Sequence, residues 1–440
     1  MEEVLIERMS YGTAAVGRLG DGKTVFVEGA APGDTVAVEV VEDKPRYAKA
    51  KLVSVVEPGA HRVSEPLACA GACGGCSWAQ LAYDEQTRQK RAIVVDALRR
   101  NGGFSFEQAD ALVGAVLPSK HQLHYRNKIE LGVVRSEETG LLDIGFFQEG
   151  THRLAQVDLC PVAAKSIAKA PKALRGAIRF LERGNDLGIF RVGVRGSQRT
   201  GDVEIALWTE SGAFPRAAAA KILRDTLKAT SIVRIISEEG RSRTVKKVEV
   251  LCGKGCWAER LGEVDYLTSA PSFFQVNTRQ AERLVELALE GVSEACDLDG
   301  AFGADLYSGG GTFTVPLALA GADVVSVESA GTSVRDLRRN AERAGVDVEV
   351  VGGDAVRELP ELGELDFLVV DPPRGGLASG MTEAVAAAAP KVIAYVSCDP
   401  QTLARDIGLL RGHGYRLSRA VPVDLFPQTY HIETVAILLK

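Results

Sequence analysis

From about residue 266 onwards the sequence repeats one unit, a short apolar run, a glycine-bearing turn and a helix. That alternation restricts this part of the chain to a doubly wound, mostly parallel sheet with helices on both faces. Ligands of such sheets sit in the crevice outside the carboxyl ends of the strands. The residues that follow each apolar run are therefore the ones to read for chemistry.

Four runs end in polar residues. Asp305-Leu306-Tyr307-Ser308-Gly309-Gly310-Gly311-Thr312 closes the first. Its glycines let backbone approach a ligand closely and let the next helix start tightly. Val324-Val325-Ser326-Val327-Glu328 closes the second and puts a carboxylate about 20 residues after the glycine turn, where it suits a ribose diol. Gly352-Gly353-Asp354 closes the third, and Phe367-Leu368-Val369-Val370 runs into Asp371-Pro372-Pro373-Arg374. A dinucleotide would also want a glycine turn and a ribose acid, but the G-x-G-x-x-G fingerprint is absent, because Thr312-Phe313-Thr314 follows the glycines. The third acid, Asp354, suits adenosine with an amino-acid tail, so S-adenosylmethionine is the expected cofactor. The plain alternative for Asp354 is a helix N-cap.

A further apolar run, Val392-Ile393-Ala394-Tyr395-Val396, leads into Ser397-Cys398-Asp399-Pro400. A thiol on that rim, facing a carboxylate, suits covalent chemistry on an electrophilic ring. C5 of uracil is too weak a nucleophile to take a methyl group unaided. A thiolate added to C6 gives C5 enolate character, and a base then removes the C5 proton and frees the enzyme. Cys398 is the candidate nucleophile; the alternative is a packed core thiol. Its rim position predicts a polar pocket that keeps it partly ionised. Asp399 works against ionisation, and the positive end of a following helix is one group that would favour it. Glu433, at the entry to a final apolar strand, is the candidate base, with His431 as its rival.

Ahead of this region, residues 1–57 contain short β-like runs separated by glycine turns, the pattern of a small closed barrel. Residues 84–100 read as a helix with Ile93, Val94, Ala97 and Leu98 on one stripe, and 120–265 as mixed, hairpin-rich structure. Cys69-x3-Cys73-x2-Cys76 is followed by Cys160-Pro161, and four soft ligands suit a [4Fe-4S] cluster or zinc. The first three spacings also fit radical S-adenosylmethionine chemistry. Against that stand Gly75 in place of an aromatic, the separate cofactor pocket, and a fourth ligand that would close the iron site. Cys252, Cys256 and Cys296 are expected in packing roles.

The bulk numbers bound the rest. A chain of 440 residues is long enough for two or three domains, and 46% hydrophobic with 25% charged residues is ordinary for globular protein. No apolar stretch approaches the roughly 20 residues of a membrane span, and the first residues lack the pattern of a signal peptide, so a cytoplasmic location is expected. The net charge of -6 speaks mildly against a nucleic-acid partner, but a local basic face acts within a Debye length of about 10 Å.

Taken together, Cys73-Gly74-Gly75-Cys76, Tyr125-Arg126-Asn127-Lys128, Ser272-Phe273-Phe274-Gln275-Val276-Asn277, Asp371-Pro372-Pro373-Arg374, Ser397-Cys398-Asp399-Pro400 and His431-Ile432-Glu433-Thr434 resemble the motifs of the RNA 5-methyluridine methyltransferases. The resemblance covers nearly the whole chain. It implies an α/β fold: a Rossmann-like class I methyltransferase domain, an N-terminal OB-like β-barrel (TRAM) and a mixed α+β central domain. The implied boundaries are 1–58 for the barrel, 59–82 with 120–265 for the iron–sulfur and central RNA-binding part, and 83–119 with 266–440 for the catalytic part. Gln275, Tyr307, Glu328 and Asp371 would contact S-adenosylmethionine, with Asp354 near the adenosine. Cys398 would be the nucleophile, Glu433 the base, and Phe273 a neighbour of the extruded uracil. Cys69, Cys73, Cys76 and Cys160 would hold the [4Fe-4S] cluster, although only three residues separate the first two where the family usually has five. Arg126, Lys128, Arg195 and Arg199 are candidate RNA contacts. The tRNA enzymes of the family typically lack both barrel and cluster, which favours 23S ribosomal RNA as substrate over tRNA, and a monomer without a membrane partner is expected. A cytosine-C5 RNA methyltransferase would carry a cysteine near the position of Arg374. An amino-methylating enzyme would need no covalent thiol, and a non-enzymatic RNA-binding iron–sulfur protein would leave Cys398 without a role.

Overall fold

The computed structural model describes residues 2–136, 140–148, 150–151, 153–183, 185–240 and 244–440. The N-terminal strands Glu2–Met9, Ala14–Arg18, Thr24–Glu28, Thr35–Asp43 and Tyr47–Glu57 close into a barrel, the first pairing with both the second and the fourth. Alternate residues Val4, Ile6, Val25, Val27, Val36 and Val38 fill it, as a period of two requires. The strand Ala14–Arg18 does not stand out in the sequence, because its side chains are small. Smallness is what the site demands: a Cβ on Gly17 would lie 2.6 Å from the Leu5 carbonyl oxygen.

Helix Tyr83–Asn101 spans the junction between the barrel and the C-terminal sheet. Its Ile93 enters the barrel core, while Val94, Val95, Ala97 and Leu98 enter the core of the C-terminal sheet. A buried ionic knot fixes it there. Lys90 Nζ lies 2.5 Å from Asp424 Oδ1, with both side chains fully buried, and donates also to the Phe426 carbonyl at 3.0 Å. The Tyr83 hydroxyl donates to the other Asp424 oxygen at 2.7 Å.

The central part is a seven-stranded mixed sheet, with helices Ala170–Glu182 and Arg216–Leu227 contributing to its core. A hairpin, Trp257–Leu261 with Val264–Thr268, follows it and packs against the helices Thr278–Ser293 and Gly331–Ala344.

The C-terminal sheet runs Glu349–Gly352, Asp323–Glu328, Phe302–Leu306, Phe367–Val370, Val392–Ser397, Glu433–Leu439, Arg416–Val423. The first five are parallel and the last two pair antiparallel. Phe367–Val370 and Val392–Ser397 are buried along their whole length, as interior strands covered on both faces must be. The chain winds outward from Phe302–Leu306 in one direction and resumes on its other side at Phe367–Val370. That reversal is the point where such a sheet opens a crevice.

Candidate active site

The last strand explains how two distant residues meet. Glu433–Leu439 inserts antiparallel beside Val392–Ser397, with Ser397 opposite Thr434. That register sets Cys398 and Glu433 at one rim. They are close enough for the Glu433 charge to act on the thiol, as do Asp371 and, with opposite sign, Arg374. Pro400 and Asp399 start the next helix, Pro400–Gly412, with the Asp399 carboxylate accepting from the Gln401 and Thr402 amides at 2.8 and 3.2 Å.

The thiol's surroundings differ from the ionising pocket expected. Burial first, then the charges of Glu433 and Asp371, push Cys398 up to about 12. The helix N-terminus does begin where anticipated, but Asp399 engages its first amides. The described group that favours the thiolate is Arg374. Glu433 is itself held well above the carboxylate range, by burial and then by Asp371, with Arg374 opposing. His431, between Tyr430 and Arg374, is lowered to about 4 by burial and then by Arg374, Lys90 and Arg126.

The cofactor candidates line the same rim. Gln275 Nε2 lies 3.4 Å from Asp371 Oδ2, and burial with Asp305 nearby raises Asp371 to about 7. Glu328 accepts from the Gly309 amide at 2.9 Å and from Ala330 at 2.6 Å. Gly309 has φ +56, and a Cβ there would meet nothing within 4 Å, so the turn is open on its ligand side. Tyr307 also takes a left-handed backbone, φ 62, and its phenol feels Asp354. Asp354 caps the short helix Ala355–Glu358, accepting from Val356 at 3.0 Å. A ring of acids around an open glycine turn fits a cationic donor bearing a ribose.

Asp305, quoted in the sequence but given no role, is a buried carboxylate raised to about 7 by desolvation. Thr314 Oγ1 donates to one of its oxygens at 2.6 Å, and the other has no protein partner. Its signal in the sequence was a charge inside an otherwise apolar strand.

Cys69, Cys73, Cys76 and Cys160 line one cavity of about 490 Å³, together with Arg126, Lys128 and Phe273. Cys76 is pushed up to about 12 by burial and then by the other three thiols. Among the described residues no three His, Cys, Asp or Glu side chains form a group placed to hold a metal ion. Phe273 is 64% exposed at the cavity edge.

The RNA candidates fare unevenly. Arg195 is corrected: it is 3% exposed, and its guanidinium donates to the Ser269 and Ser272 carbonyls at 3.0 and 2.5 Å, so it ties the central sheet to the Phe273 segment. Lys128 is drawn to Glu130 at 2.8 Å and Arg199 to Glu282 at 2.7 Å. Arg126 donates to the Lys128 carbonyl at 2.9 Å, and its charge reaches both Cys76 and His431. Asn127 holds the backbone of Gln275, donating from its side chain at 2.9 Å.

The profile of the TRAM domain family matches residues 1–53, and that of the tRNA (Uracil-5-)-methyltransferase family matches residues 83–352 and 361–440. A protein of Clostridium tetani described as an uncharacterized RNA methyltransferase is 34% identical over 94% of this chain and 91% of its own. One of Gloeobacter violaceus, described in the same words, is 34% identical over 99% of this chain and 95% of its own. Among solved structures, Pyrococcus abyssi tRNA (uracil-54, C5)-methyltransferase in complex with S-adenosyl-L-homocysteine superposes with TM-score 0.76 and 28% identity, covering 100% of this chain and 99% of its own.

Proposed function

The chain belongs to the tRNA (uracil-5-)-methyltransferase family, with a TRAM domain ahead of the family region, and from that premise we propose that it methylates C5 of uridine in RNA through a transient bond from Cys398 to C6. The observation that carries this is the strand register that sets Cys398 and Glu433 on one rim beside Asp371.

S-adenosylmethionine, when bound, supplies an electrophilic methyl group on a sulfonium. Glu328 would take its ribose, Tyr307 and Asp354 its adenosine side, and Gln275 and Asp371 the rest. The thiolate of Cys398 adds to C6 of the extruded base, which makes C5 a nucleophile. After C5 is methylated, the Glu433 carboxylate takes the C5 proton, the C5–C6 double bond re-forms, and the thiolate leaves. A carboxylate so disfavoured in its charged form is a strong acceptor once ionised. His431, lowered to about 4, is a weak base by comparison. Arg374 offsets the acids around the sulfur. Extruding the base costs a few kcal/mol and is cheapest in a loop.

Cys69, Cys73, Cys76 and Cys160 would hold a [4Fe-4S] cluster that pins residues 69–76 to the central part, and no catalytic step needs it. The RNA backbone would run over a groove lined by Lys120, His121, His124, Lys165 and Arg279. It adjoins the cysteine cavity through residues 123–126 and 160–165.

Two substrates compete. The case for 23S rRNA leans on the barrel and cysteines, yet a tRNA (uracil-54) enzyme superposes over 100% of this chain, so the barrel does not discriminate. Mapping 5-methyluridine in rRNA and tRNA of a deletion strain decides between them. The mechanism is tested by Cys398→Ala, expected to lose methyl transfer but keep S-adenosylhomocysteine binding, and by Glu433→Gln, expected to accumulate a covalent RNA–protein adduct. A denaturing gel of Glu433→Gln with no retarded species removes Glu433 as the proton acceptor, and turnover by Cys398→Ala removes the covalent route.

A further inference from the structure

The turn between the first two barrel strands reaches into the catalytic rim. Tyr11 sits in it, and its hydroxyl lies 3.2 Å from the Cys398 carbonyl oxygen and 3.2 Å from Asp399 Oδ2. Its ring meets Tyr430 edge-on at 5.6 Å, and Tyr430 packs on His431 at 4.1 Å, two residues before Glu433. One barrel side chain thus touches the nucleophile's segment directly and the base's segment through one ring.

Both ends of this contact are anchored. On the barrel side, Ser10 Oγ donates to the Ala14 carbonyl at 2.6 Å, and the Gly12 carbonyl accepts from Trp78 Nε1 at 3.0 Å. On the catalytic side, Asp399 Oδ1 caps the helix while Oδ2 faces Tyr11. Burial and Asp399 hold the phenol protonated, so it remains a donor. Rotation of the Cys398 peptide would swing Sγ, and the shared Tyr11 hydrogen bond opposes that rotation.

We propose that Tyr11 is a positioning residue for the nucleophile, through which the docked barrel holds Cys398 in its attacking orientation; this rests on the covalent reading above. Misplacing a reacting atom by an ångström costs as much as a hundredfold in rate. Loss of one of several restraints on the loop is smaller.

The test compares Tyr11→Phe, which keeps the ring, with Tyr11→Ala, which loses it, in the full chain. Four quantities are measured: the single-turnover rate of adduct formation on 5-fluorouridine RNA with S-adenosylmethionine, the RNA dissociation constant, the melting temperature, and hydrogen exchange of the amides of 397–402 other than Pro400, which has none. Tyr11→Phe is expected to slow adduct formation about tenfold at saturating RNA, with RNA affinity and melting temperature unchanged and exchange of 397–402 faster. Tyr11→Ala is expected to be slower still. Combining Tyr11→Phe with Asp399→Asn should cost less than the sum of the two. An unchanged rate in Tyr11→Phe overturns the proposal, as does a defect that saturating RNA abolishes. If the wild type itself forms no adduct, the covalent reading falls, and the exchange measurement still decides Tyr11: unchanged protection of 397–402 overturns its role.

Discussion

At the scale of single residues, the rim is a balance of charge around one sulfur. Burial and three acids, Glu433, Asp371 and Asp399, raise Cys398 to about 12, and Arg374 pulls the other way. The thiolate is therefore scarce below that value and grows as pH rises towards it. Arg374→Gln removes the opposing charge, so the thiol rises further and less thiolate exists at any given pH. Alkylation of Cys398 by iodoacetamide at pH 8 should slow in this variant, with no change in melting temperature; an equal or faster rate would show that Arg374 does not act on the sulfur. Cys398 and Glu433 were legible because each adjoins an apolar run that could only be a strand. Arg374 and Tyr11 were not, because their contribution is a juxtaposition across the fold that no local pattern records. Arg195 misled for the opposite reason: a charge in a strand looks the same in sequence whether its guanidinium faces water or buried carbonyls.

At the scale of elements, helix Tyr83–Asn101 was legible from its stripe, but the knot that seats it was not. Lys90 lies on the helix and Asp424 more than 300 positions away, and they meet without access to water. Removing one partner leaves a buried charge uncompensated, which typically costs about 3–5 kcal/mol. Lys90→Met should lower unfolding free energy by that order in urea titrations. The double variant Lys90→Met/Asp424→Leu should recover much of it. No recovery would mean that the pair matters for more than its charges. The barrel's second strand escaped the sequence reading because Ala14, Ala15 and Gly17 carry no β signal of their own; at Gly17 the close approach of Val4 and Leu5 leaves no room for a Cβ.

At the scale of the molecule, a net charge of -6 coexists with a groove that gathers Lys120, Lys165 and Arg279 around His121. The overall sign was therefore a poor guide to the partner, since these cations are drawn from three separate segments. Replacing each with Gln should reduce the dependence of log RNA affinity on log salt by roughly 1 per cation removed, while S-adenosylhomocysteine affinity stays constant. An unaltered slope would place the RNA path elsewhere.

Sheet order has one more effect. The strand that bears Glu433 follows both of its neighbours in sequence and must slide between them. Closing the gap between Val392–Ser397 and Arg416–Val423 is thus the same event that delivers to the rim the carboxylate we propose as proton acceptor.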